Sequence, residues 1–82
     1  MKISYDKIAD AMYIYLRKGK VAKTIKVKSN LLIDVDKKGG ILGIEILDVS
    51  RQIPKKEIGK ISTEMPVYAW SLKVAFSNMN LK

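Results

Sequence analysis

Apolar and polar residues alternate over most of the first half of the chain, a pattern typical of β-strands with one buried face. In residues 11–16, the tyrosines Tyr13 and Tyr15 lie opposite Met12, Ile14 and Leu16. Related patterns occur in residues 2–5, 21–28, 31–36 and 41–47. We therefore predict an antiparallel β-meander of four to five strands joined by short turns.

Glycines mark two special positions in the predicted sheet. Gly39 and Gly40 lie between two apolar runs and predict a β-hairpin, because glycine readily adopts the positive φ of hairpin turns. Gly43 stands within the following strand and predicts a bulge or a close approach by another backbone. Asp6 is expected to accept backbone hydrogen bonds as an Asx-turn or helix cap.

The alternation ends at Asp48. Pro54 and the residues that follow it predict a short helix, which Gly59 ends. Residues 67–79 fit a helix, which aligns Tyr68 with Phe76, or a strand, which aligns Tyr68 with Trp70. Either way they form an apolar arm that covers the sheet of its own chain or of a neighbour.

The length of the chain predicts a single domain over residues 1–82. The strand and helix patterns make it an α+β domain, with a β-meander core in residues 2–50 and a C-terminal helix and arm in residues 51–82. A chain this short buries only about 60–65% of its unfolded surface. It has no cysteine, so disulfides cannot supplement the core. We therefore expect a homo-oligomer, with a dimer favoured. The residues expected to self-associate are Tyr68, Trp70, Leu72 and Phe76.

The net charge of +8 is unevenly distributed. No acidic residue lies between Ala11 and Ile33, whereas six basic residues do: Arg17, Lys18, Lys20, Lys23, Lys26 and Lys28. We call these six residues the basic stripe. It favours an anionic partner such as nucleic acid. Lysines on an edge strand also prevent sheets from aggregating, and both interpretations stay open.

Two tyrosines near the basic stripe in sequence favour nucleic acid as its partner. Tyr13 and Tyr15 share one strand face, and the next strand along the chain is expected to bring lysines beside them. Aromatic side chains next to cations are the arrangement that stacks single-stranded bases. The predicted binding face therefore consists of Tyr13, Tyr15, Arg17, Lys18, Lys23, Lys26 and Lys28.

The residue types present argue against an enzyme. Without histidine or cysteine, the chain lacks the commonest general base, the usual nucleophile pairs and most zinc ligands. Carboxylates that together would suit Mg²⁺ are explained by turn and cap positions instead. We therefore predict no catalytic residue, no metal site and no cofactor.

Localisation also follows from segments that the sequence does not show. There is no run of about 18 apolar residues that would span a membrane. The first residues lack the layout of a signal peptide. The expected location is the cytoplasm. The abundance of isoleucine and lysine, with one glutamine and no cysteine, is typical of thermophile proteins.

Four motifs in residues 2–50 resemble the domain of unknown function 2283 family of small prokaryotic proteins. They are Tyr5-Asp6, the run Ala9-Asp10-Ala11-Met12-Tyr13-Ile14-Tyr15-Leu16, Asp34-Val35-Asp36 followed by Gly39 or Gly40, and Gly43-Ile44-Glu45-Ile46-Leu47-Asp48-Val49-Ser50. The resemblance implies a compact β-rich domain without an assigned activity. Some members are encoded beside small toxins, which implies an antitoxin-like or partner-binding role.

These observations favour a non-enzymatic interaction module that forms homo-oligomers and has a small protein partner, in the manner of an antitoxin. The alternative is an accessory protein that binds nucleic acid through a basic, tyrosine-bearing sheet face.

Overall fold

Five antiparallel strands form a single sheet in the computed structural model, which describes residues 1–65. The strands are β1 (Lys2–Asp6), β2 (Ala11–Tyr15), β3 (Lys23–Lys28), β4 (Leu31–Val35) and β5 (Ile41–Leu47). Two short helices follow, α1 (Val49–Gln52) and α2 (Lys55–Ile58). The described part is therefore mainly β with a little helix, and the predicted helix after Pro54 is confirmed. The predicted arm, residues 67–79, and its self-association residues lie outside the described residues.

The order of strands across the sheet is β1-β2-β5-β4-β3. The prediction of a simple meander is wrong, because β5 lies between β2 and β4 and moves β3 to the far edge. Strands β3, β4 and β5 are consecutive neighbours in the sheet, and β5 then pairs with β2. This is the Greek-key order, with the long connection between β2 and β3.

The link between β2 and β3 crosses the end of the sheet and is held there by backbone hydrogen bonds. The Leu16 amide donates to the Leu42 carbonyl at 2.8 Å, and the Ala22 amide donates to the Val35 carbonyl at 2.8 Å. Gly19 lies in this link against Leu42, and a Cβ at Gly19 would lie only 2.5 Å from the Leu42 Cδ2 atom. The link can therefore lie close to β5 because residue 19 has no side chain.

Arg17 ties the same link to the β4–β5 turn. Its Nη2 atom lies 2.6 Å from Asp36 Oδ2 in an ion pair. The other Asp36 oxygen accepts hydrogen bonds from the amides of Lys38 at 2.9 Å and Gly40 at 2.8 Å. The Arg17 hydrogen bond, followed by that from Gly40, lowers the pKa of Asp36. Gly39 has a φ of 84°, which confirms the predicted glycine-dependent hairpin turn.

Strand register divides the sheet into two faces, because directly opposed residues of antiparallel strands point the same way. What we call the apolar face consists of Ile3, Tyr5, Met12, Ile14, Ile25, Leu31, Ile33, Ile44 and Ile46. The opposite, polar face consists of Lys2, Ser4, Tyr13, Tyr15, Thr24, Lys26, Leu32, Asp34, Gly43 and Glu45. The predicted alternation of β2 and β5 is confirmed.

Few residues of the described part are fully enclosed. Among residues 1–65, the apolar side chains with less than a tenth of their surface exposed are Val35, Leu42 and Val49. The centre of the apolar face is only half-buried, and Ile3 and Ile25 at its two ends are 37% and 41% exposed. Residues 1–65 therefore do not enclose this face.

A carboxylate joins the β1–β2 turn to the start of α1. Asp10 accepts hydrogen bonds from the Tyr5 hydroxyl at 2.6 Å and the Ser50 hydroxyl at 2.7 Å. The Val49 amide donates to the Asp10 carbonyl at 3.1 Å, and the Val49 side chain is fully buried. The hydrogen bond between Tyr5 and Asp10 lowers the pKa of Asp10 and raises that of Tyr5. Helix α1 is a feature that the sequence analysis did not predict.

Asp6 performs the predicted turn role at the end of β1. Its Oδ1 atom accepts hydrogen bonds from the amides of Ile8 at 2.9 Å and Ala9 at 3.0 Å. The turn then ends at Asp10, whose φ of 54° places it in the left-handed region.

Two aspartates with positive φ provide a matched test of the Asp10 junction. Asp10 and Asp48 have φ values of 54° and 53°, but the Asp48 side chain forms no capping hydrogen bond. Glycine relieves backbone strain equally at both positions. We expect Asp10→Gly to lower the melting temperature clearly, because the Tyr5 and Ser50 hydrogen bonds are lost. Asp48→Gly should leave it unchanged or raise it. Thermal unfolding followed by circular dichroism would compare the two, and equal effects would contradict the role of the Asp10 carboxylate.

Candidate functional site

The predicted binding face is divided between distant strands. Tyr13 and Tyr15 lie on β2, whereas Lys23, Lys26 and Lys28 lie on β3. Strands β5 and β4 separate them, so three strand spacings of about 4.8 Å place the two strands about 14 Å apart. The expectation that the next strand in sequence brings these lysines beside the tyrosines is wrong, because sequence neighbours are not sheet neighbours at this point.

The lysines of β3 also differ in the face that they occupy. Lys26 is opposite Leu32 and shares the polar face with the tyrosines. Lys23 is opposite Val35, and it alternates with Thr24, so it lies at the margin of the apolar face. A register shift separates Lys26 from Lys28. The three lysines therefore follow one strand edge rather than one face.

Tyr13 spans the middle of the polar face. Its hydroxyl donates a hydrogen bond to Asp34 Oδ2 at 2.5 Å, and Asp34 Oδ1 accepts one from the Thr24 hydroxyl at 2.6 Å. The pKa of Tyr13 is raised to about 12, first by its hydrogen bond to Asp34 and then by partial burial. These contacts connect β2 with β4 and β3 across the intervening strand β5.

Gly43 makes room for the Tyr13 ring. It is buried directly opposite Tyr15 in the β2–β5 pairing, and a Cβ added to it would overlap the Tyr13 ring and hydroxyl. A register shift between Asp34 and Val35 lies beside it. The predicted irregularity at Gly43 is confirmed, although the close approach is made by a side chain and not by another backbone.

The centre of the polar face is acidic. Glu45 is opposite Tyr13 in the β2–β5 pairing, and Asp34 accepts the Tyr13 hydroxyl. Negative charge beside the Tyr13 ring opposes the approach of phosphate groups. Tyr13 is therefore placed to hold the sheet together and poorly placed to stack a nucleic-acid base.

Tyr15 offers a different environment at the end of β2. It is 47% exposed, and its ring centroid lies 4.3 Å from that of Tyr13. The Lys2 ammonium lies 5.8 Å from the Tyr15 centroid, within the range of a cation–π contact. Arg17 and Lys18 line two open clefts together with Tyr15. We call Lys2, Tyr15, Arg17 and Lys18 the Tyr15 corner.

Only part of the predicted binding face thus comes together in space. Tyr15, Arg17 and Lys18 meet at the Tyr15 corner, and Lys2, which was not predicted, joins them. Arg17 is already paired with Asp36. Sequence reasoning missed Lys2 because only the β1–β2 register shows that it lies opposite Tyr15.

Three carboxylates of the described part serve local structure. Asp6, Asp10 and Asp36 accept the hydrogen bonds of their own turns and junctions. Residues 1–65 contain no group of three or more acidic, histidine or cysteine residues arranged to hold a metal ion. Nor does this part of the chain contain a helix long and apolar enough to cross a membrane.

The comparisons with known proteins identify a family without assigning a function. A family model described as "Protein of unknown function (DUF2283)" matches residues 2–50, more than half of the 82 residues. This match confirms the family resemblance based on the four sequence motifs. No curated protein and no solved structure matches the chain.

The space that Gly43 leaves for Tyr13 can be tested by adding one methyl group. We expect Gly43→Ala to lower the free energy of unfolding by about 1–3 kcal/mol, because the new Cβ displaces Tyr13 from Asp34. Gly59→Ala is the control, since no atom lies within 4 Å of its added Cβ and its φ is −91°. The control should change the same quantity by less than about 0.5 kcal/mol in chemical denaturation. A harmless Gly43→Ala would show that Tyr13 does not need this space.

Proposed function

We propose that this chain, which belongs to the DUF2283 family, is a non-enzymatic interaction module that forms a homodimer through its apolar face. The observation that supports this proposal is the incomplete burial of that face by residues 1–65. Nine apolar or aromatic side chains lie on it, from Ile3 on β1 to Ile25 on β3, and none of them is fully buried.

The small size of the enclosed core is the energetic reason to expect a dimer. If association buries a further ~30 Å² on each of these side chains, each contributes about 0.7 kcal/mol at 25 cal/mol per Å². Folded domains are stable by only about 5–15 kcal/mol, so a sum over nine side chains matters. A small chain with only a few enclosed residues therefore gains much by covering this face.

The apolar face can accept a second copy because its own residues carry no charge. The whole chain carries a net charge of +8, so two copies repel each other on average. The nine residues of the apolar face are uncharged, and the cations next to it, Lys23 opposite Val35 and Lys28 opposite Leu31, lie on the edge strand β3. Two such faces can pack about 10 Å apart as a symmetric sandwich, with the lysines of β3 at the border of the interface.

A small protein partner would bind to the surfaces that the dimer leaves open. The family resemblance suggests a role like that of an antitoxin beside a small toxin. In that arrangement the apolar face holds the dimer together, while the sheet edges and the polar face select the partner.

The second candidate function is binding of single-stranded nucleic acid at the Tyr15 corner. The observation in its favour is a half-exposed Tyr15 ring with the Lys2 ammonium 5.8 Å from its centroid and Lys18 beside it. A base can stack on such a ring while the lysines contact phosphates. The acidic centre of the polar face would limit the contact to one or two nucleotides.

The dimer is tested by placing charge on the apolar face. We expect the double variant Ile3→Lys/Ile25→Lys to be monomeric at concentrations where the natural chain is dimeric, because each lysine would lose its hydration in the interface. Sedimentation velocity over a hundredfold range of concentration measures this change.

The matched control carries the same added charge on the other face of the same strands. Ser4→Lys/Thr24→Lys should stay dimeric, since Ser4 and Thr24 belong to the polar face. A natural chain that is monomeric throughout, or a dimer that survives the Ile3 and Ile25 changes, would contradict the proposal.

Nucleic-acid binding is tested by fluorescence anisotropy with a labelled oligothymidylate. If the Tyr15 corner binds it, Tyr15→Ala should weaken binding about 5- to 100-fold, as expected for the loss of one stacked base. Lys18→Ala should reduce the slope of log affinity against log salt by about 1, whereas Lys56→Ala on α2 should have little effect. Affinity that is insensitive to Tyr15→Ala would exclude this site.

A further inference from the structure

Within residues 1–65, strand β3 forms an unpaired, positively charged edge of the sheet. We propose that this edge binds an acidic, extended segment of a partner protein, which adds a sixth strand beside β3. The backbone edge of β3 is a different surface from the apolar face, although Ile25 belongs to both, so the proposal goes beyond the dimer.

The two edges of the sheet are not equivalent. Strand β3 pairs with β4 on one side only, and all six of its residues are exposed. Next to β1, the opposite edge strand, Ile61, Thr63 and Met65 line a cleft together with Ile3. Within residues 1–65 the edge at β3 is therefore the more accessible one. Its backbone amides and carbonyls are available for strand addition.

Charge selects the chemistry of the added strand. Within residues 1–65, no carboxylate lies within 4.0 Å of the ammonium of Lys23, Lys26 or Lys28, and the ion pairs found there involve Arg17 and Lys60. Three cations within six residues of an edge strand attract an acidic segment. Glutamate or aspartate beside these lysines would form cross-strand pairs of opposite charge.

The same lysines disfavour a second copy as the added strand. If two β3 strands paired antiparallel about the centre of the strand, Lys23 of each would lie opposite Lys28 of the other. Like charges in directly opposed positions are destabilising. The lysines therefore disfavour pairing with a second β3 strand and favour a strand of opposite charge. A charged edge in this way prevents aggregation between sheets and also selects its partner.

Aliphatic side chains on β3 favour a polypeptide over a nucleic acid. Ile25 is 41% exposed and Val27 is 53% exposed. Alternate side chains of an added strand would cover them, while the backbone of that strand completes the hydrogen-bond ladder. A phosphate backbone would satisfy the lysines but would leave these aliphatic groups and the open ladder without partners.

The regular part of the edge sets the length of the partner segment. Register is continuous from Lys23 to Lys26 and shifts before Lys28. The Ala22 amide also bonds to the Val35 carbonyl, which keeps the chain before β3 close to the sheet. A partner segment of about five residues, with an apolar residue near Ile25 and acidic residues on both sides of it, fits this edge.

Three synthetic probes separate strand addition from simple charge attraction. The first is a capped nine-residue peptide of glutamate, valine and threonine with a charge of −4. The second replaces its glutamates by glutamine, and the third keeps the charge but carries N-methyl groups on alternate amides. We expect the acidic peptide to bind in a calorimetric titration of the full chain. The glutamine peptide should bind at least tenfold more weakly, and the N-methylated peptide should not bind measurably.

Variants of the protein locate the binding surface. Lys23→Ala/Lys26→Ala/Lys28→Ala should weaken the acidic peptide about tenfold, as expected for three exposed charge pairs. Lys37→Ala/Lys38→Ala/Lys56→Ala removes the same charge from the β4–β5 turn and α2, and should change affinity less than threefold. Hydrogen exchange should show new protection of β3 amides in the complex.

Three outcomes would overturn the proposal. Equal weakening by both triple variants would leave only long-range attraction, and unchanged binding of the N-methylated peptide would exclude strand addition. An oligothymidylate of equal charge that displaces the peptide and protects the same amides more strongly would make the edge a nucleic-acid surface. The dimer test measures sedimentation, whereas the edge test measures peptide affinity and the exchange of β3 amides, so a failed dimer test and a failed edge test are distinguishable.

Discussion

The hydrogen bonds that β5 makes on both of its sides are the constraint on which the rest of the structure depends. By pairing with β2 and β4, β5 joins one hairpin at each end of the sheet into a single layer. This insertion forces the β2–β3 link across the end of the sheet, where Gly19 lies against Leu42. It also places β3 at an edge, because no position next to β2 remains available.

The central position of β5 also explains the difference between the two faces. The isoleucines of β5 belong to the apolar face. On the polar face, Gly43 leaves space for the Tyr13 ring, whose hydroxyl donates a hydrogen bond to Asp34. The polar face is thus held together by side-chain hydrogen bonds, whereas the apolar face lacks enclosure by residues 1–65. The two faces of the sheet therefore differ in how much of their surface residues 1–65 hold in fixed contacts.

The positive charge of the chain acquires a different meaning in this arrangement. The basic stripe is continuous in sequence, but in space it follows the link and then the β3 edge. Arg17 holds the link to Asp36, and Lys18 belongs to the Tyr15 corner. The lysines of β3 line a backbone edge instead of a flat face. The positive charge of the basic stripe is therefore concentrated at two separate places.

Local patterns in the sequence determined much of this structure. Alternation in residues 11–16 and 41–47 predicted two strands and their inward faces, because the side-chain period of a strand is two. The glycine pair at Gly39 and Gly40 predicted the hairpin, and Pro54 predicted a short helix. Asp6 was identified as a turn acceptor, and Gly43 as an irregular position. Each of these signals depends on residues that are close in sequence.

Only the tertiary structure decided which strands are neighbours. Strand order depends on pairings between segments such as β2 and β5, about 30 residues apart in the chain, and alternation is the same in a meander and in a Greek key. For that reason the sequence could not show that Asp34 receives the Tyr13 hydroxyl, or that Asp10 joins Tyr5 to Ser50. Nor could it separate Tyr15 from the lysines of β3. Face and turn are local properties of a chain, whereas an interaction surface is made by residues that only folding brings together.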